Sequence, residues 1–294
     1  MAGIKEIRSH IRSVESTLKI TNAMYLISSS SLRKARQQLR DVQPYFSKLS
    51  YTIADILNHS PHMTHPYFDH RPKIAKEHHK VGYVVISGDK GLAGSYNHNV
   101  FKLAEQQLKA TDSPTLFLVG QMGRTYFANR GIPVEKEFLY TSQNPTLTQA
   151  RKMTEVLVPL FRNGTLDEIS IIYTHMVNPL ILEPKIIRLL PLDKDNFPWQ
   201  PRCHEAFPRL VNYSPSEYAV LERLVPIFLS GMIFGSLVES FCAEQSARMT
   251  AMDASSKNAR DMLRELNLSF NRARQSAITQ EITEVVGGAQ SAGD

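Results

Sequence analysis

Cysteine is scarce. Cys203 and Cys242 are the only two in 294 residues, too few for a disulfide framework, and no CxxC pair offers a metal or redox site. A reduced setting is the expectation, with Cys242 as a small packing residue. Long apolar runs are missing too. No stretch of about 18 apolar residues appears, and the N-terminus has no apolar signal core, so the expectation is that nothing in the chain crosses a membrane. The phosphate-binding patterns GxxxxGK[ST] and GxGxxG are absent, as is an acidic residue placed after a second strand to read a ribose. No Ser/His/Asp, Cys/His or paired-carboxylate set stands out, since Asp193 and Asp195 sit in a loop beside Pro198. These absences predict no catalytic residue, no cofactor and no metal site.

What is present is apolar content of 42%, enough for a real core in one or two domains, and a net charge of +6, which favours an anionic partner without naming one. The longest legible stretch is the last, Ser214 to about Val286. Ser214-Pro215-Ser216-Glu217 reads as a capping box, with Ser214 accepting an N–H three residues on and Pro215 at the first helical position. No turn-forming glycine pair follows until Gly287-Gly288. About 70 helical residues would span roughly 105 Å, far beyond a small domain's width. Such a helix must protrude and be held by something else. Along it Leu224, Phe228, Gly231, Gly235, Val238, Cys242, Gln245, Met249, Met252, Ser256, Ala259, Leu263, Leu266, Phe270, Ala273 and Ala277 step by four and three, the a/d repeat of a coiled coil. Gly231 and Gly235 are expected to be points of close approach, and Pro226 to bend the first turns.

Residues 1 to about 58 carry a second heptad: Ile4, Ile7, Ile11, Val14, Leu18, Thr21, Tyr25, Ser28, Leu32, Ala35, Leu39, Val42, Phe46, Leu49, Ile53 and Ile56. Pro44 predicts a local kink. The simplest partner is the C-terminal helix of the same chain, running antiparallel, with everything from about 75 to 205 inserted at one end. Residues 1–60 hold nine Lys/Arg against four Asp/Glu, while 212–294 hold seven against ten. Arg33, Lys34, Arg36 and Arg40 face more than one direction, so one acidic helix cannot neutralise them all. They form either a solvated face or a contact with an acidic element of a partner.

The segment 59–80 reads as a linker with Pro61, Pro66 and Pro72. Its histidines, His59, His62, His65, His70, His78 and His79, read as loop residues, because the prolines break any helix that would align them. From Val81 the period changes. Strands at 81–86, 115–119 and 168–175, an edge strand at 185–190, and helices between them predict an open, parallel, Rossmann-like α/β domain over 81–205. Gly88, Gly91 and Gly94 lie between a strand and a helix, where a tight structural turn or a weak phosphate site would fit. The remaining divisions are 1–58 and 212–286 for the coiled-coil helices and 287–294 for a tail.

Several runs resemble the gamma subunit of F-type ATP synthases. They are Met1-Ala2-Gly3-Ile4-Lys5-Glu6-Ile7-Arg8, Lys19-Ile20-Thr21-Asn22-Ala23-Met24, Leu32-Arg33-Lys34-Ala35, Gly88-Asp89-Lys90-Gly91-Leu92-Ala93-Gly94, Ala247-Arg248-Met249-Thr250-Ala251-Met252, Phe270-Asn271-Arg272-Ala273-Arg274-Gln275, and Ile278-Thr279-Gln280-Glu281-Ile282 through Gly287-Gly288-Ala289. The likeness covers effectively the whole chain, and its C-terminal part is the most specific.

The resemblance implies a rotor, a non-catalytic subunit of a rotary proton-transporting ATP synthase. Its two-helix shaft would enter a ring of three alpha and three beta subunits. The α/β domain would lie outside, near the epsilon subunit and the c ring, on the cytoplasmic face of the bacterial plasma membrane as a peripheral part. Met24 matches the methionine beside beta's acidic lever, with Arg33, Lys34 and Arg36 adjoining. Arg248, Arg274, Gln275, Thr279 and Glu281 match positions that meet the ring. Nucleotides would bind on the ring and not on this chain. The choice between H⁺ and Na⁺ is made in the c ring.

Three departures stand out. Ser31 replaces a frequent Lys, Ala93 replaces a frequent Cys, and the cysteine-bearing chloroplast insertion has no counterpart. Two other classes stay open on the residues alone: a nucleotide-binding protein dimerised by its coiled coil, and a nucleic-acid-associated coiled coil, against which stands the acidic C-terminal helix.

Overall fold

The computed structural model describes residues 3–60, 62–72, 78–132, 134–197 and 213–291. Pro61, Pro198, Cys203, the domain limits expected at 205 and 212 and the end of the tail lie outside them. Helix α1 (Ile4–His59) and helix α5 (Glu217–Ser291) enclose β1 (Lys80–Ile86), α2 (Tyr96–Lys109), β2 (Ser113–Val119), α3 (Gln121–Ala128), α4 (Leu147–Arg162), β3 (Glu168–Met176) and β4 (Leu182–Leu190) in sequence. The chain forms two compact units, one of residues 1–29 with 248–294 and the other of residues 30–247.

In the first unit α1 and α5 pack antiparallel. The Thr21 and Ser256 hydroxyls are 2.7 Å apart, and the Arg8 guanidinium lies 5.4 Å from the centre of the Phe270 ring, so numbering rises on one helix as it falls on the other. From Met249 to Ala277 every expected seam position of α5 is buried or half-buried, and nearly every other position is exposed. On α1 the seam from Ile4 to Ser28 holds likewise except at Tyr25, which is 37% exposed. Two helices alone can cover only one stripe of each other. Thr21, Ser28, Ser256 and Ala259 are the small residues buried in that stripe.

The second unit is built on a four-stranded sheet in the order β2-β1-β3-β4, with β1 parallel to both neighbours and β4 antiparallel on β3. Alternation along β1 divides its side chains between two cores. Val84 and Ile86 join Phe161 of α4, Ile53 and Ile56 of α1 and Leu221, Leu229 and Ile233 of α5. Tyr83 and Val85 join Phe101 of α2 and Phe127 of α3.

Several expectations change here. Between Leu221 and Ala243 helix α5 is buried on most sides, not along one stripe, because it meets both α1 and the sheet's larger core. The same helix contains an 18-residue window of mean hydropathy 1.7, long and apolar enough to cross a membrane, against the expectation that none exists. That window is 61% buried inside the fold, the setting of a core helix. Gly231 is a point of close approach: a Cβ there would lie 2.1 Å from the Phe46 ring. Gly235 is not, since a Cβ there would meet nothing within 4 Å. The cap of α5 is Ser216, whose hydroxyl accepts the Ala219 N–H at 3.2 Å; Ser214 and Pro215 precede the helix. At its other end α5 continues through Gly287-Gly288 to Ser291.

The linker is also more ordered than its prolines suggest. Pro66–Phe68 forms a 3-10 turn with Tyr67 and Phe68 buried. His65 is 4% exposed, its ring against those of Tyr67 and Tyr218, and burial holds its imidazole below the usual range despite Glu222 nearby. His79 is buried as well. Both are buried histidines: His65 because the linker folds back onto the start of α5, His79 because it lies near Asp167 where β1 begins. Among the described residues no group of His, Cys, Asp and Glu could hold a metal ion.

Candidate functional site

The glycine loop between β1 and α2 stands where a phosphate loop would turn its N–H groups toward an anion. Here the Gly88 N–H donates to Asn97 Oδ1 at 2.8 Å. The Asp89 carboxylate lies at the N-terminus of α3, accepting the Gln121 N–H at 2.9 Å. It also accepts the N–H groups of Ser142 and Gln143 and the hydroxyls of Thr141 and Ser142. Burial pushes this carboxyl upward, but the donors outweigh it and hold the group below its ordinary range. The chain thus supplies its own anion at that helix end. The rest of the loop is fastened to α5: the Tyr96 hydroxyl is 2.9 Å from Ser240 Oγ, and Ala93 and Tyr96 pack on Ala243. These contacts support a structural turn at the Gly88–Asp89 end of the loop, while the N-terminus of α2, which follows it, has no side-chain cap at Ser95.

Chemistry elsewhere is subdued. Cys242 is buried, which pushes its thiol up to about 11 in spite of the Arg36 charge, so it is a packing residue at neutral pH. The features that point outward are surfaces. In the first unit Met24 is half-buried, and around it Ile20, Leu26 and Ile27 are more than half exposed. Farther along α5, Leu268, Ile278, Ile282, Val285 and Val286 are exposed as well. Arg274, Gln275, Thr279 and Glu281 share that exposed region, with the Thr279 hydroxyl donating back to the Gln275 carbonyl at 2.9 Å.

In the second unit Arg33, Lys34 and Arg36 are exposed, and among the described residues none of them pairs with a carboxylate. Arg40 is drawn back along the helix to Gln37 at 2.6 Å. Arg248 differs from the other expected contact residues. It is 7% exposed, whereas Arg274 and Gln275 are exposed. No spacing in the sequence distinguishes it, because the heptad places it on a flank. The turn between β3 and β4, with Val177, Leu180 and Ile181 exposed, was not singled out by sequence reasoning. Its signal is the apolar run on either side of Asn178-Pro179.

A family model described as ATP synthase matches residues 3–292. The chain is 45% identical to the ATP synthase gamma chain of Ruminiclostridium cellulolyticum, over 98% of each chain. It is 36% identical to the sodium ion specific ATP synthase gamma chain of Acetobacterium woodii, again over 98% of each. Among solved structures, a chain of the Euglena gracilis mitochondrial ATP synthase (OSCP, F1 and c-ring, rotational state 3) superposes with a TM-score of 0.64 at 14% identity, covering 98% of this chain and 94% of that one. At that identity the likeness is one of fold.

Proposed function

This chain belongs to the ATP synthase gamma-chain family, and on that premise we propose how it serves as a central-stalk rotor. Its paired helices turn inside a ring of three alpha and three beta subunits. Its α/β unit stays outside, with the epsilon subunit and the c ring as partners, so the whole is peripheral to the cytoplasmic face of a bacterial plasma membrane. Ion flow through the membrane sector turns the chain, and the turning drives ATP synthesis or hydrolysis on the ring. The chain catalyses nothing itself, and the c ring selects H⁺ or Na⁺.

The observation that carries this reading is the outer surface of the first unit. Beyond the seam, Ile20, Leu26, Ile27, Leu268, Ile278 and Ile282 are exposed along both helices. Large apolar side chains exposed repeatedly along one helix pair are suited to being covered by another protein. Apolar contact is non-directional, so it suits a shaft that must pass every angle, where strong polar anchors would hold one. To drive its neighbours through different states the shaft must bind those states differently, since equal affinity shifts nothing. Met24, Arg33, Lys34, Arg36, Arg274, Gln275, Thr279 and Glu281 are the residues we assign to that differential contact.

Co-expression with the alpha and beta subunits of the same organism tests the assignment. The expected product is a complex of three alpha, three beta and one of this chain, whose ATP hydrolysis depends on the chain. A chain that instead purifies as a dimer and binds ATP unaided would overturn the rotor assignment in favour of a nucleotide-binding protein. A second outcome concerns the exposed end of α5. Deleting Gln275 to Asp294 is expected to reduce ATP-driven ion pumping several-fold while the thermal transition of the α/β unit survives. Loss of that transition would show that the end belongs to a core.

A further inference from the structure

Turns ordinarily carry polar residues, yet the β3–β4 turn presents three large apolar ones. Val177, Leu180 and Ile181 are 52%, 83% and 48% exposed. The turn is held firmly despite this. Asn178 Oδ1 accepts the N–H groups of Leu180 and Ile181 at 2.9 and 2.8 Å, and the Val177 N–H donates to the Ile181 carbonyl at 3.2 Å. From α5 the Ser246 hydroxyl donates to the Pro179 carbonyl at 2.8 Å. A turn whose backbone is already satisfied loses little freedom when its side chains are covered.

Next to the turn, Met176 Sδ lies 3.4 Å from Arg36 Nη2. That contact sets the apolar tip beside the basic stretch of α1, where Arg33 and Lys34 are exposed. A surface with unpaired cations on one side and apolar residues on the other is complementary to a segment carrying carboxylates beside apolar side chains. We propose that the β3–β4 turn is a second point of contact with the ring, at which the tip receives the apolar residues of a beta segment whose carboxylates face Arg33 and Lys34. This rests on the rotor assignment and adds to it a named contact outside the paired helices. The contact is small, so it can form and release three times in each revolution.

The test uses the assembled complex of alpha, beta and this chain, with a benzophenone amino acid placed at position 180 in one preparation and at position 34 in another. The expected result is that both crosslink to beta, and that the peptide captured from position 180 adjoins the acidic segment captured from position 34. If position 34 reaches beta while position 180 captures epsilon, another subunit or nothing, the turn is not a ring contact and the rotor assignment stands. If no complex assembles, or neither position reaches the ring, both fall together.

Binding to the ring adds a second readout. Leu180→Ser with Ile181→Ser is expected to weaken it about tenfold, by the same factor at low and high salt, because the lost contact is apolar. The weakening from Lys34→Ala is expected to shrink as salt screens its charge. An unchanged affinity in the double variant, or one whose loss varies with salt as that of Lys34→Ala does, would overturn the proposal. Both serines lie on an exposed turn, so the fold is retained.

Discussion

Replacing Arg71 with methionine is expected to lower the stability of the second unit by about 3–5 kcal/mol at neutral pH, the usual result of removing one partner from a buried ion pair. Arg71 pairs with Asp167, a carboxylate only 5% exposed, donates to the Phe161 carbonyl and lies 4.9 Å from the centre of the Phe161 ring. The other Asp167 oxygen accepts the Lys80 N–H at 2.9 Å. One linker side chain thereby ties the start of β1 to the start of β3 and the end of α4. Arg71 sits at φ 46°, and methionine meets the same backbone penalty there, so the substitution reports on the guanidinium alone.

The pH dependence gives a second check. Burial raises the Asp167 pKa, but the Lys80 N–H and then Arg71 outweigh it and hold the carboxyl below its ordinary value of 3.8. A depressed carboxyl stabilises fully above its unfolded pKa, and that contribution is lost as pH falls through the folded value. The wild type and Arg71→Met should therefore differ most at neutral pH and converge in strong acid. Urea unfolding followed from pH 7 downward measures this. A gap that stays constant would rule out the ion pair as its cause.

Gly231→Ala and Gly235→Ala should have opposite signs although they lie one turn apart on the same helix. At Gly231 the new Cβ would lie 2.1, 2.2 and 2.6 Å from three atoms of the Phe46 ring, the last of them Cγ, which is fixed close to the backbone. Overpacking of this kind costs about 1–3 kcal/mol, which exceeds the ~1 kcal/mol that alanine gains over glycine in a helix. At Gly235 a Cβ meets nothing within 4 Å, so the helical gain of up to ~1 kcal/mol stands alone. The decisive comparison is Gly231→Ala in a Phe46→Ala background, where the penalty should largely vanish. If it persists there, the Phe46 contact is not what requires glycine.

The same pair of glycines shows how far the sequence could be read. The heptads of α1 and of α5 beyond Met249 were legible because a two-helix pair buries one stripe per helix, and a stripe has a period. Earlier in α5 the same repeat marks only one of several buried faces. Leu221, Val225 and Leu229 pack into a core whose partners arrive from the sheet and from α4, and no local period records those. Gly231 and Gly235 look alike in sequence; only the position of Phe46 separates them. Ser214 and Ser216 both offer a plausible cap, and the chain selects the second. His65 looked like a loop residue because prolines flank it, while its burial depends on Tyr218, more than a hundred residues away. The contact surface came from resemblance to a family and not from spacing, and for that reason buried Arg248 was grouped with exposed Arg274.

Asp89 bears on how the machine is controlled. A part that spins at the hub of an enzyme bathed in ATP, ADP and free phosphate is exposed to capture by any of them. An α/β fold with a glycine turn at a helix end is the kind of place where capture happens. With Asp89 held below its ordinary carboxyl range, the neighbouring N-terminus of α3 carries a permanent negative charge at every pH a cell reaches. Metabolite anions meet repulsion there.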